Sequence, residues 1–296
     1  MLFNEADHPS VQVYGALSKD LIHWSPANNG KPILTYQDFL HTTWAGKDEN
    51  GTNNQGTFVS DAIRYQGNWY LFLYGFNTSG KRQIGMAVSK CTLLGPYRIA
   101  NNPIIKNGKK GSWNESGSFY PKVIKLNNRF VLFYSGIDDS GIEHIGRSFS
   151  SNLFHWSIDE NPVITDHQGW RSVKSLSTPN YIEHRGDSLF LMVSGAKAFK
   201  QGFWHHYITR QLYKGKSGNV DDAQLGVYLS VDGGETFVPH KHNPVFVNDY
   251  SSPFENEHLG GNFKRIVTDT AEFIIYQAKS SYQGWKYNVM MRGRKR

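Results

Sequence analysis

The 296-residue chain has one cysteine, Cys91, which excludes an internal disulfide and a cysteine-based zinc site. Long apolar runs are missing as well. None approaches the roughly 18 residues of a membrane-spanning helix, and the mean hydropathy is −0.53, so no membrane partner is expected. The opening MLFNEADHPS has no basic start followed by an apolar core, so it does not read as a signal peptide, and no compartment is assigned. The net charge is +7, yet no basic helix or aromatic–basic RNA motif accompanies it. The excess sits in Lys106, Lys109 and Lys110 and in Arg292, Arg294, Lys295 and Arg296. It reads as solvated surface rather than a nucleic-acid site. The histidine spacings match no metal-ligand motif, so no metal site is assigned and no cofactor is expected. A structural calcium is compatible with the sequence and not indicated by it.

What the chain has in quantity is aromatic residues, with 8 Trp, 16 Tyr and 18 Phe, and a repeat. From Phe58 to Ile105 four strands follow one another: VSDAIRY, NWYLFLYG, QIGMAVS and a fourth through PYRI, closed by Asn-Pro-Ile-Ile. Gly67, Gly80 and Gly95-Pro96 supply turn chemistry at the breaks. Residues 119–164 repeat the unit, with LFYSG for LFLYG, IGRSFS for IGMAVS and NPVI for NPII. A third copy, Leu176 to Phe246, shows LFLMVSG, LGVYLS and NPVF. The gap from the Ser that ends the third strand to the closing Pro is 14, 12 and 14 residues in the three copies. Four short strands repeated at this period indicate propeller blades.

Val11 to Leu34 matches strands three and four alone, and Met1-Leu2-Phe3 falls where a second strand should be ending. After Leu259 the chain gives a first, a second and a third strand. Five third strands are counted, so the expected fold is an all-β, five-bladed β-propeller of four-stranded antiparallel blades, with incomplete first and last blades. It forms one domain over 1–296, with blades at about 1–34 (partial), 56–105, 111–164, 174–246 and 255–296. On this reading Met1 is an internal methionine. The alternative is that the two partial blades pair into one sheet.

The blade pattern YLFLYG, IGMAVS, S-K-D-L-I-H-W at Ser18–Trp24 and N-P-[IV]-[IF] resembles that of the family 43 and family 32 glycoside hydrolases, which are five-bladed propellers. The resemblance implies hydrolysis of a glycosidic bond by carboxylates on the floor of the funnel. One protonates the leaving oxygen while another activates water or attacks. The family's first carboxylate lies on an inner strand that is absent from this chain. Asp61, in V-S-D-A-I-R-Y, is similar to the inner-strand Asp of the family's second blade. The alternative role for it is a strand-start residue that caps a turn. In the third blade, S-F-Y-P-K-V puts Phe119 and Tyr120 where an acid is often found, and in the fourth Ser177 stands where family 43 has the Glu of Glu-Gly-Pro.

Two further acids stand at matching offsets. Glu115 lies six residues before Pro121, and Glu257 six before Phe263. Either is a candidate proton donor, or else a surface loop glutamate. Trp44, Trp113 and Trp170 lie in the inter-blade loops and are candidate sugar platforms, with Arg171, Glu255 and His258 as candidate binding groups. For each of these, packing is an equally good reason. His205 and His206 follow Trp204 in an insertion of blade four that could reach the rim. Ser230–Phe237, S-V-D-G-G-E-T-F, fits the Asp-box turn of sialidases, a structural motif found in many propellers. The expected partner is a carbohydrate. The leading reading is a glycosidase, the alternative is an inactive glycan-binding propeller, and a sialidase-like enzyme is the weaker third. Sugar, linkage and oligomeric state are not legible.

Overall fold

The structure, a computed structural model, describes residues 1–7, 10–52, 55–174, 176–196, 224–247, 251–255, 258–279 and 287–295. It divides into two compact units, Met1–Pro162 and Val163–Arg296. Among the described residues there are strands and three short 3-10 helices, and no α-helix.

The first unit opens with a three-stranded sheet: β1 (Leu2–Asp7), β2 (Ser10–Leu17) and β3 (Ser25–Pro26). β1 pairs along its whole length with β2, from Leu2↔Gly15 to Asp7↔Ser10. The second strand of this blade therefore runs to Asp7 instead of ending near Phe3. Two four-stranded antiparallel blades follow. The first is β4 (Phe58–Tyr65), β5 (Asn68–Phe76), β6 (Arg82–Ser89) and β7 (Arg98–Ile99). The second is β8 (Gly117–Leu126), β9 (Arg129–Ile137), β10 (Glu143–Ser150) and β11 (Ser157–Ile158). One parallel pair, Arg82↔Gly117, joins their ladders. The second unit holds a four-stranded blade, β12 (Thr178–Arg185), β13 (Ser188–Gly195), β14 (Gln224–Ser230) and β15 (Val238–Pro239). Its other sheet is three-stranded, β16 (His258–Val267), β17 (Ala271–Lys279) and β18 (Tyr287–Lys295). Among the described residues the first and last sheets thus have three strands each.

β5 is apolar without alternation because both its faces are covered. Tyr70, Phe72 and Tyr74 pack toward Phe119, Val123, Phe130 and Leu132 of the following blade. Leu71 and Leu73 pack the other way, against Val13, Leu34, Phe39 and Trp44. In the second unit Leu225, Phe263, Tyr276 and Ala278 form a smaller core.

Three local devices recur. The inner hairpins turn in two residues, and Gln66 and Gly67 take φ of 47° and 80°, as a turn of matching twist requires. The Pro-apolar-apolar segments return to the third strand through single bridges, Val13↔Leu34, Ile84↔Ile105 and Leu225↔Phe246. The corner after the third strand is closed by side chains. Ser18 Oγ accepts the amides of Asp20 and Leu21 while Asp20 Oδ1 accepts those of Ile22 and His23. Ser150 and Asn152 do the same for residues 152–155. In the Asp-box, Asp232 Oδ1 accepts the amides of Glu235 and Thr236. Thr236, then Ser230, hold the Asp232 carboxyl well below the usual range.

Candidate functional site

Every inner strand is bulged near its start. The ladder skips Ser60 in β4, Tyr120 and Pro121 in β8, Asn180 in β12, and Gly260 and Asn262–Phe263 in β16. A bulge frees residues from cross-strand pairing and re-aims the side chains beside it. Tyr120 sits in the left-handed region at φ 52°, which a bulky residue occupies only when its surroundings hold it there.

Asp61 follows the first bulge and is 7% exposed. Its Oδ1 accepts the Ala62 amide at 2.9 Å, and its Oδ2 accepts the Val123 amide of β8 at 2.9 Å. In return, the buried Lys122 donates from Nζ to the Ser60 carbonyl. Asp61 faces Phe72 across its hairpin and Lys122 faces Phe133, the matching residue of the next blade. Lys122, rather than Phe119 or Tyr120, is therefore the blade-three counterpart of Asp61. Sequence offsets missed this because the second bulge is one residue longer than the first. Aligning the hairpin turns instead of the strand starts would have found it.

Glu115 is half-buried and closes its own loop, accepting the Gly111 amide on Oε2 at 2.6 Å, while its carbonyl accepts Lys81 Nζ at 3.1 Å. Glu255 is 4% exposed and tightly held: Oε2 accepts the Tyr276 hydroxyl at 2.8 Å, and Arg292 Nη2 lies 3.0 Å from both oxygens. Burial, then Glu255, pushes the Tyr276 phenol above its usual range. Glu257, like Trp204, His205 and His206, lies outside the described residues; His258 begins β16, and its side chain is also outside them.

The three loop tryptophans share one geometry. Each indole lies flat on glycines of the second or third strand of its blade. A Cβ on Gly85 would stand 2.2 Å from Trp44, one on Gly146 2.1 Å from Trp113, and one on Gly226 2.2 Å from Trp170. Trp44 has no exposed surface, and its Nε1 donates to the Ala100 carbonyl at 2.8 Å. Trp113 and Trp170 are half-buried. Arg171 is fully buried beside Trp170. It donates from Nη1 to Asp166 Oδ1 at 2.9 Å and to the Tyr228 hydroxyl, and from Nη2 to Ser177 Oγ at 2.6 Å. Tyr228 in turn donates to Asp166 Oδ2 at 2.7 Å. Asp166 and Tyr228 are members that sequence reading missed; they lie 62 residues apart, and only the folded blade joins them. Among the described residues no group of three or more His, Cys, Asp or Glu is placed to hold a metal ion.

No protein-family model matches the chain, and no curated protein matches it. Solved structures do. A thermostable family 43 glycoside hydrolase superposes with a TM-score of 0.68 at 12% identity, covering 99% of this chain and 88% of its own. An endo-1,4-β-xylanase from Bacteroides thetaiotaomicron gives 0.65 at 12% identity, with 99% and 90% covered. The family 32 β-fructofuranosidase of Bombyx mori, in complex with sucrose, gives 0.59 at 13% identity, with 96% and 53% covered. With strands arranged in blades and near-complete superposition on both families, the chain has the five-bladed β-propeller fold of the family 43 and family 32 glycoside hydrolases.

Proposed function

We propose that residues 1–296 act as one propeller domain on an oligo- or polysaccharide, cleaving glycosidic bonds by carboxylate acid–base chemistry where the inner strands begin. The main support is the likeness, along nearly the whole chain, to glycosidases of two families. In this reading Asp61 is the carboxylate beside the scissile bond, since two backbone donors suit an acceptor-only anion held in place. Glu115 or Glu257 supplies the proton. Trp113 and Trp170 stack on sugar rings, and Glu255 and His258 flank the ligand. The fully buried Trp44 and Arg171 support their loops.

The test is release of reducing ends from arabinan, xylan and fructan oligosaccharides. Hydrolysis is expected, falling by about 10²-fold or more in Asp61→Asn and in whichever of Glu115→Gln and Glu257→Gln removes the acid. No release from any substrate, with binding retained, would refute hydrolysis and establish the second reading, a glycan-binding propeller. One observation favours that second reading: a lysine, Lys122, stands at the blade-three position that Asp61 holds in blade two.

A further inference from the structure

Chemistry that the carboxylates do not use gathers where β6 begins. Arg82 is half-buried, with its guanidinium carbon 5.1 Å from the centroid of Phe76 and 4.7 Å from that of Phe119. Among the described residues its N–H donors meet no hydrogen-bond acceptor and no carboxylate. A guanidinium normally satisfies several of its five donors, so one fixed between two rings and left unpaired is prepared for a ligand.

The surroundings are cationic. Lys81 precedes Arg82, and the loop that follows this blade carries the exposed Lys106, Lys109 and Lys110. That loop is pinned over Arg82 by Asn107, which donates to the Arg82 carbonyl at 3.0 Å and accepts from Gln83 Nε2 at 2.8 Å. The nearby acids are occupied: Glu115 holds the Gly111 amide, and the buried Glu143 has a partner of its own. Tyr120, strained at φ 52° and half-buried, lies with its ring 4.9 Å from that of Tyr74. Phenol faces and hydroxyls are what a pyranose ring needs for stacking and orientation.

We propose that Arg82, Tyr120 and the lysines at 81, 106, 109 and 110 form a subsite for a sugar carboxylate, a uronate residue of an acidic polysaccharide. The inference rests on the carbohydrate reading above and adds the substrate class. The planar fork pairs with a carboxylate through two parallel bonds. The two rings fix the arginine before binding, which removes part of the ordering cost. The lysines extend the attraction over about 8 Å at physiological salt.

The experiment is calorimetric titration of the full chain with trimers of galacturonate and of glucuronate, and with their methyl esters, at 0.15 M salt. Neutral arabinan and xylan oligosaccharides and a duplex DNA oligonucleotide are the further arms. An acidic trimer is expected to bind at least about tenfold more tightly than its ester. Arg82→Met, which keeps the packing on Phe76 and Phe119, should reduce the acid to the affinity of the ester. Arg82→Lys should leave an intermediate preference, because the charge remains and the fork is lost. Equal binding of acid and ester by the wild-type chain overturns the proposal whether or not the variants fold, as does an acid preference that survives Arg82→Met. Binding of neutral oligosaccharides alone overturns the uronate subsite and leaves the carbohydrate reading standing. Binding of DNA alone, or of nothing, overturns both.

Discussion

Replacing Gly85 by alanine puts the tryptophan-on-glycine packing to a direct test. The new methyl would stand 2.2 Å from Cε2 and Cζ2 of Trp44, about 1.2 Å inside ordinary contact. The indole is fully buried, and its Nε1 is tied to the Ala100 carbonyl at 2.8 Å, so it cannot slide away without losing that bond. Overpacking costs about 1–3 kcal/mol, and outright expulsion of a tryptophan approaches the roughly 3–5 kcal/mol of truncating it. Gly85→Ala is therefore expected to cost about 2–4 kcal/mol. Gly85 has no positive φ, so alanine fits the backbone, and in a Trp44→Ala background the same substitution should be neutral or stabilise by up to about 1 kcal/mol. Urea unfolding of the two single variants and the double variant gives the coupling. It should reach at least about 2 kcal/mol, with midpoints shifting and slopes unchanged. A Gly85→Ala cost below about 0.5 kcal/mol, or strict additivity, would refute the reasoning.

Arg171→Met should cost about 1–3 kcal/mol in the same assay, since Asp166, Tyr228 and Ser177 lose a shared donor while Asp166 keeps access to water. Arg171→Lys should recover only part of this, and full recovery would show that charge alone matters. The cluster of Glu183 and Glu272 with Arg185, Arg265 and Arg294 predicts an acid response. Burial pushes Glu183 up, but the Arg185 bond and the charges of Arg185 and Arg265 more than reverse this. Glu272 is drawn down to about 2, first by Arg265 and then by Arg294. Both carboxyls are depressed in the folded chain, so their contribution is complete above pH 4.5, the ordinary glutamate value, and is lost as pH falls toward about 2. The unfolding midpoint of wild type should fall more steeply over this window than that of Glu272→Gln, and parallel curves would count against the network.

The repeat was legible because each blade solves the same packing problem with the same residue types. LFLYG and LFYSG run apolar on both faces, and the third-strand glycines Gly85, Gly146 and Gly226 stand where a tryptophan lies. The Pro-apolar-apolar segments stood out because Leu34, Ile105 and Phe246 must each return to bridge the third strand. The inner-strand register was not legible. A bulge leaves no fixed mark in sequence, and a difference of one skipped residue between β4 and β8 moved the counterpart of Asp61 to Lys122. Arg82 was hidden for a related reason. Its setting comes from the absence of an acidic partner among the described residues and from rings at Phe76 and Phe119 that only the fold brings beside it.

The corners closed by Ser18 with Asp20, by Ser150 with Asn152, and by Ser230 with Asp232 bear on how such a chain grows. Each satisfies these amides with side chains from within about five residues. A duplicated blade would thus arrive with these corner amides already satisfied. The rings of the Ser150 corner do meet a neighbour, Phe154 on Tyr70 and Trp156 on Phe72, so a new blade would have to match its packing while its backbone closure came ready made.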